Sequence, residues 1–152
     1  LNSLLEKYNV SKEEIDGVIV SNGPGSYTGV RIAVTIAKVM ATALKCKLYK
    51  ISALQILKNG NKPSICVINA RSNRSYVGVY EGSKVLVKDC IMTNDEVLNY
   101  IKGHQDYSVC GNAKYLSLEG YQSNICEEML SVKDNLIPVE NPMAVTPIYM
   151  RD

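Results

Sequence analysis

The stretch from residue 21 to residue 45, SNGPGSYTGVRIAVTIAKVMATALK, places a glycine-rich turn before a long and almost wholly apolar helix. The run DGVIVS at 16–21 precedes it, and its β-branched residues are typical of a strand buried in a parallel sheet. The run KLYKIS at 47–52 follows as a second strand, and ALQILKNG at 53–60 predicts a brief helix that ends at Gly60. Strand, helix and strand in this order predict a βαβ unit, in which the helix covers one face of a parallel sheet.

The turn could either cradle a phosphate or only start the helix. It lacks the lysine of GxxxxGK[ST], and its Gly23-x-Gly25-x3-Gly29 spacing is one residue longer than GxGxxG. We therefore favour a structural role, in which the glycines permit a tight turn and Ser26 or Thr28 caps the helix. Phosphate binding is the alternative. The full turn motif is Gly23, Pro24, Gly25, Ser26, Thr28, Gly29 and Arg31.

The polar residues of the predicted helix recur at intervals of three or four, as Thr28, Arg31, Thr35, Lys38, Thr42 and Lys45. They form one stripe about 100° wide, and the rest of the helix is apolar. A surface helix usually has about a third of its circumference apolar, whereas about two thirds of this one must leave water. Part of that surface can face the helix's own sheet, and the remainder needs another cover.

A row of small residues runs along the same helix, because Gly29, Ala33, Ala37 and Ala41 recur every four residues. Small rows let a second helix approach closely, so a partner helix is one interpretation. Burial between the helix's own sheet and a neighbouring helix of the same chain is the other. The two interpretations are compatible.

A second unit follows the polar stretch NGNKPS at 59–64, which predicts a domain boundary and divides the chain into residues 1–61 and 62–152. The runs at 64–70, 75–82 and 84–93 predict three strands, the last two joined as a hairpin. Thr93 and Glu96 form a capping box for the helix DEVLNYIKG, and YSVCGN is a further strand.

The order β-β-β-α-β, continued by a helix and a strand, is one half of the actin, hexokinase and Hsp70-like (ASKHA) fold. The first unit, α-β-α-β, fits such a half without its three opening strands. We therefore predict an α/β protein of two related RNase H-like halves, the first incomplete at its N-terminus. This is an analogy of fold and does not define a function.

Several functions are disfavoured by composition. The net charge is only +2, with no run of five like charges, so the footprint of a dedicated nucleic-acid binder is absent. The five cysteines are at least 16 residues apart and His104 is the single histidine, so no zinc knuckle, CxxC or histidine pair exists. No GxSxG elbow is present. We expect no catalytic residue and no metal site.

No apolar run approaches the roughly 18 to 20 residues of a membrane span, and the first ten residues do not read as a signal sequence. The sequence therefore predicts a cytoplasmic protein without membrane contact.

The segment VSNGPGSYTGVRIAVTIAKVMA resembles the signature of the bacterial TsaB family, also called YeaZ. That signature is a strand, GPGS, an aromatic residue, TG, a hydrophobic residue, Arg and a small-residue helix with a lysine near its middle. INAR, YVGVYE, CGNAKY and the ending TPIYMRD are similar to further segments of the family. Asn69 departs from the usual Asp, and Arg74 stands where an acidic residue is common. Family members begin with three more strands, so we expect this chain to be a fragment of such a protein.

The resemblance implies a scaffold subunit without its own catalytic site. TsaB proteins bind the related catalytic subunit TsaD and, with TsaE and ATP, help to place threonylcarbamoyl on the adenosine next to the anticodon of certain tRNAs. It also implies a homodimer contact, ATP bound only in the complex, and tRNA reached only through the complex. The family's contacts use helices of the first half, which implies a partner interface at Gly29, Val30, Ala33, Ala37, Met40, Ala41 and Leu44.

Two enzymatic interpretations are the alternative. One is a nucleotide hydrolase of the same fold that uses the glycine turn. The other is a glycoprotease-type peptidase, against which the missing metal ligands argue.

Overall fold

The computed structural model describes residues 2–150, so Leu1 and the last two residues of the TPIYMRD ending lie outside the described part. Its helices are α1 (Asn2–Tyr8), α2 (Tyr27–Leu44), α3 (Asn94–Gly103) and α4 (Ile125–Ser131). Its strands are β1 (Gly17–Ser21), β2 (Lys47–Ile51), β3 (Ser64–Arg71), β4 (Arg74–Glu81), β5 (Lys84–Thr93) and β6 (Ser108–Cys110). Five short 3-10 turns complete the described structure.

The first sheet is the predicted parallel pair. β1 and β2 align in register from Gly17 opposite Lys47 to Ser21 opposite Ile51. α2 connects the two strands and covers one face, which confirms the βαβ unit. The helix ends at Leu44 because Lys45 adopts a left-handed conformation, and its N–H bonds back to the last turn.

The second sheet has the strand order β5-β4-β3-β6. β3, β4 and β5 are antiparallel neighbours, and β6 pairs with β3 in parallel after the crossover through α3. Gly82 has a φ of +57° in the hairpin turn between β4 and β5, at the place predicted for that turn. Thr93 and Glu96 form the predicted capping box at the start of α3. The β-β-β-α-β order is therefore confirmed.

Two parts of the chain differ from the predictions. The run ALQILKNG, expected as a brief helix, forms only a 3-10 turn at Gln55–Leu57. After α4 no further strand is described; the chain instead returns to the first sheet, where Val139 N–H donates to the Leu48 carbonyl at 2.8 Å. Val145 completes the core under α2. The division at residue 61 separates the two sheets and stays a prediction, and the last residues pack across it.

α2 is the single helix in residues 2–150 that is long and apolar enough to cross a membrane by length and composition. The expectation that no run approaches that length is therefore wrong for this helix. Core helices of water-soluble proteins pass the same test, and α2 carries Arg31 and Lys38 and lies on the β1–β2 sheet.

Candidate partner-binding surface

The glycine turn is held in place by backbone bonds on both sides. Asn22 is buried. Its carbonyl accepts a hydrogen bond from the Ile148 N–H at 2.7 Å, and its own N–H donates to the Ile51 carbonyl at 3.2 Å. Its side-chain amide donates to the Thr146 carbonyl at 3.4 Å. The turn is therefore clamped between the end of β2 and the returning C-terminal segment.

Gly23 is the position in the turn that requires glycine. Its φ is +110°, and a Cβ atom there would lie 2.7 Å from the carbonyl oxygen of Ile148. Pro24 is buried beside it, whereas the nearest atom to a Cβ on Gly25 would be a Val30 methyl at 3.7 Å. Glycine therefore serves close backbone approach at Gly23 and is not sterically required at Gly25.

Ser26 is the N-cap of α2. Its Oγ accepts the Gly29 N–H at 3.4 Å, and its carbonyl accepts the Val30 N–H at 2.9 Å. The predicted cap is thus confirmed for Ser26, and Thr28 lies exposed in the first turn. Arg31, also exposed, donates from Nη1 to the Tyr27 hydroxyl at 2.8 Å.

α2 buries one face against its own chain. Val34, Ala37 and Ala41 are 2 to 4% exposed and pack with Val20 and Leu48 of the sheet. Because Ala37 and Ala41 have small side chains, the helix can lie close to the strands.

A second apolar face of α2 is open to solvent. Ile32, Ile36 and Val39 are 54%, 53% and 60% exposed. At 100° per residue they fall on one side of the helix, together with Ala43, and the polar stripe separates them from part of the buried face. The prediction that the helix carries more apolar surface than its sheet can cover is confirmed in the described residues. We call Ile32, Ile36 and Val39 the exposed α2 face.

The residues predicted for the partner interface lie mostly on the side of α2 away from the exposed α2 face. Ala37 and Ala41 are buried by the β1–β2 sheet, so their assignment to a partner interface is corrected: a partner could not reach them. Val30 and Ala33 pack on the same core, while Met40 and Leu44 are half-buried and Gly29 is exposed. The row of small residues marks contact with the sheet. Sequence reasoning missed the exposed α2 face, although the intervals of four and then three residues between its bulky side chains were visible.

A cleft separates the start of α2 from the end of β3. Its volume is about 490 Å³, and it is lined by Gly25, Ser26, Tyr27, Thr28, Ile68, Asn69, Ala70, Arg71 and Tyr76. Asn69 accepts the Arg71 N–H with its side-chain oxygen at 2.8 Å. Asn69 thus shapes the strand end, and the cleft holds no carboxylate among its lining residues.

The titratable groups in the described residues do not form a catalytic arrangement. His104 caps α3, with Nδ1 bonded to the Tyr100 carbonyl at 2.9 Å and its ring stacked on Tyr100. No group of three or more His, Cys, Asp or Glu residues suited to a metal is found within residues 2–150. The cysteines are free thiols, and a hydrogen bond with Cys110, together with burial, raises the pKa of Cys66. Cys66 is therefore a protonated, unreactive thiol.

Tyr80, Ser52 and Asp89 form a partly buried polar cluster. The Tyr80 hydroxyl and the Ser52 hydroxyl both donate to the Asp89 carboxylate. Burial, followed by the bond to Asp89, raises the pKa of Tyr80. Ser52 directly follows β2 and Asp89 belongs to β5, so the cluster ties the two sheets together rather than exposing a reactive group.

The chain is similar in sequence to several known proteins. The model of the protein family described as "TsaD: tRNA N6-adenosine threonylcarbamoyltransferase" matches residues 1–140. A Bacillus subtilis protein named "tRNA threonylcarbamoyladenosine biosynthesis protein TsaB" is 30% identical over 102 residues, which are 64% of this chain and 44% of that protein. "Uncharacterized protein MG208" of Mycoplasma genitalium is 27% identical over 153 residues, which cover 100% of this chain and 74% of that protein.

Solved structures show the same fold. "YeaZ from Pseudomonas aeruginosa" superposes with a TM-score of 0.77 over 98% of this chain and 80% of that one, at 20% identity. A second structure, described as an uncharacterized protein with similarity to peptidase YEAZ from the same organism, gives a TM-score of 0.74 over 99% of this chain and 80% of that one. The predicted ASKHA-like α/β fold is confirmed. Signature, fold and family match agree, and the chain belongs to the TsaB/YeaZ family of TsaD-related proteins.

Proposed function

We propose that this chain is a non-catalytic scaffold subunit in the biosynthesis of threonylcarbamoyladenosine in tRNA, and that it binds a TsaD subunit through the exposed α2 face. The observation that carries the proposal is this face, with three branched apolar side chains each more than half exposed on one helix. Relatives named for this biosynthesis support the biological role.

Burial of the exposed α2 face would be favourable, because full burial of a branched side chain contributes roughly 1.5–3 kcal/mol and a little over half of each of these is still exposed. The face is also rigid. Ser26 caps the helix, Lys45 ends it, and the buried side holds it on the sheet. A partner helix would therefore find a surface that needs little ordering on binding, which favours affinity.

The remaining parts of the proposal follow from the role in the complex. TsaE and ATP act with the assembled subunits, tRNA reaches the chain through that assembly, and the place of action is the cytoplasm. A second copy of the chain would compete for the same face as a homodimer. These points are supported by the family membership alone.

The test is a pull-down with purified cognate TsaD, followed by sizing of the complex. Ile36→Glu places a charge in the centre of the exposed α2 face, and we expect it to weaken binding at least tenfold, because burying an unpaired carboxylate is costly. Lys38→Glu is the matched control, since it adds the same carboxylate on the polar stripe. Equal binding by both variants, with urea unfolding unchanged, would contradict the proposal.

A nucleotide-binding enzyme is the second candidate, favoured by the cleft beside the start of α2. It requires ATP to bind the isolated chain, and Gly25→Val, which would fill the cleft wall near Val30, to abolish that binding. Titration calorimetry would decide between the two candidates. A peptidase is supported only by the name of one structural neighbour.

A further inference from the structure

We propose that the cleft and the tyrosine pair at its rim bind a single-stranded segment of RNA directly. Tyr27 belongs to both features, since it lines the cleft and stacks on Tyr149 with ring centroids 4.9 Å apart. The inference differs from the proposed function in one point, that RNA contacts this chain itself and not only its partners, and it rests on that function for the identity of the RNA as tRNA.

The tyrosine pair is an exposed stacking platform. Tyr27 is 59% exposed and Tyr149 is 41% exposed, so two aromatic rings already stacked on one another remain open to solvent. Bases of single-stranded RNA stack on such side chains at roughly 1–3 kcal/mol per base, with little dependence on sequence.

Positive charge lies on both sides of the platform. The Arg31 guanidinium lies 5.1 Å from the centroid of the Tyr27 ring and bonds to the Tyr27 hydroxyl. Arg71 lines the opposite wall at the end of β3. Within residues 2–150 the one ion pair joins Lys58 to Glu128, so neither arginine is neutralised by a carboxylate there. Both guanidinium groups are therefore available to phosphate, for which arginine is well suited.

The cleft itself favours an extended ligand over a free nucleotide. The groups that could contact a ligand are spread from Arg71 across the cleft to Tyr149. A ligand that places a phosphate beside Arg71 and a stacked base on Tyr149 must contain several linked nucleotides.

The probe is a fluorescein-labelled oligouridylate of roughly ten nucleotides, within the range of known single-strand sites. Its anisotropy is followed during titration with the full chain at several salt concentrations. We expect Tyr149→Ala and Arg71→Asn each to weaken binding roughly 5- to 100-fold. Asn is chosen because it tolerates the positive φ of +66° at Arg71. Arg71→Asn should also reduce the salt dependence by about 0.7 in the log–log slope, the share of one phosphate.

Two matched controls remove the same groups elsewhere. Tyr121→Ala deletes another exposed tyrosine, and Lys62→Asn deletes a cation before β3, at the end opposite to Arg71. Both should bind the probe as the natural chain does. The inference fails if the natural chain does not bind the probe, or if the controls lose as much affinity as Tyr149→Ala and Arg71→Asn. It also fails if free AMP or ATP binds as tightly as the oligonucleotide, since the site would then serve a mononucleotide.

The same variants are tested in the TsaD pull-down, because neither Tyr149 nor Arg71 lies on the exposed α2 face. TsaD binding without RNA binding would overturn this inference and leave the proposed function in place. RNA binding without TsaD binding would overturn the proposed function and leave this inference in place.

Discussion

Lys58 and Glu128 form a buried ion pair that joins the segment after β2 to α4. The Lys58 side chain is 1% exposed, and its ammonium group also donates to Ser131 Oγ at 3.1 Å. Glu128 accepts the Gly60 N–H with its second oxygen at 2.9 Å. The pair therefore closes a network in which each charge has a protein partner, as buried charges require.

Removal of one partner should destabilise the fold strongly. We expect Lys58→Met to lower the free energy of unfolding by about 3–5 kcal/mol, because Glu128 would stay buried without its counter-charge. The double variant Lys58→Met/Glu128→Gln should recover much of that loss, since the amide oxygen still accepts the Gly60 N–H. Urea unfolding measures both, with the exposed Lys62→Met as control. A loss below about 1 kcal/mol in Lys58→Met would show the network to be dispensable.

The two faces of α2 should respond differently to the same charge. Ala37→Glu places a carboxylate between the helix and the β1–β2 sheet, where Ala37 is 4% exposed, and we expect it to unfold the chain or cost several kcal/mol. Ile36→Glu, one residue earlier on the exposed face, should leave the urea midpoint nearly unchanged. Equal stability of the two variants would mean that the helix is turned on its sheet.

The turn before α2 should tolerate alanine at one glycine but not at the other. Gly23→Ala would set a Cβ 2.7 Å from the Ile148 carbonyl at a φ of +110°, and we expect a loss of roughly 1–3 kcal/mol. Gly25→Ala meets its nearest neighbour at 3.7 Å and should change stability by less than about 0.5 kcal/mol. Thermal unfolding of the pair measures the difference. Similar melting temperatures would argue against the close contact with the C-terminal segment.

Tyr80 should make the fold sensitive to alkali. Burial and then the bond to Asp89 raise its pKa above the ordinary value of 10.0, so the stabilisation is complete below pH 10 and declines as the pH rises above it. We expect Tyr80→Phe to reduce the loss of stability between pH 8 and pH 11, as followed by urea unfolding. The exposed Tyr121→Phe serves as control. A pH dependence unchanged by Tyr80→Phe would assign the alkaline sensitivity to other groups.

Glu96 should contribute to the stability of the fold, and acid pH should remove this contribution. The Thr93 backbone N–H bonds to its carboxylate at 2.7 Å and lowers its pKa below the ordinary 4.5. A depressed pKa contributes stability that is present above pH 4.5 and is lost as the pH falls through the folded value. Glu96→Gln should therefore flatten the stability profile below pH 4.5 relative to the natural chain. Asp95→Asn, in the same helical turn, is the control, and an equal effect of both would contradict a specific cap.

Local signals were sufficient for most elements. β1, α2 and β2 lie within a few residues of the predicted runs, because β-branched runs, a glycine turn and a polar stripe are all read over short distances. The Thr93–Glu96 box likewise needs only four residues. The segment around Ile56 was harder: its apolar residues suggested a helix, but it is only a short turn between two sheets, where tertiary packing decides the conformation.

The candidate surface was predicted only in part. The sequence indicated that α2 carries excess apolar area but left open whether the row of small residues meets a partner or the chain's own sheet, and the family resemblance placed that row in a partner interface. Small side chains allow close approach to any neighbour, and nothing in the row itself distinguishes a sheet of the same chain from a helix of another.

By itself, the sequence determined the family signature, the order of helices and strands, a hydroxyl cap at Ser26 or Thr28 and the excess of apolar surface on α2, since each depends on neighbouring residues. Only the tertiary structure decided that Ala37 and Ala41 lie on the sheet while Ile36 faces solvent, that Lys58 meets Glu128, and that Tyr149 stacks on Tyr27. These contacts join residues up to 122 positions apart (149 − 27), and a chain's local pattern holds no information on which distant segment will cover which face.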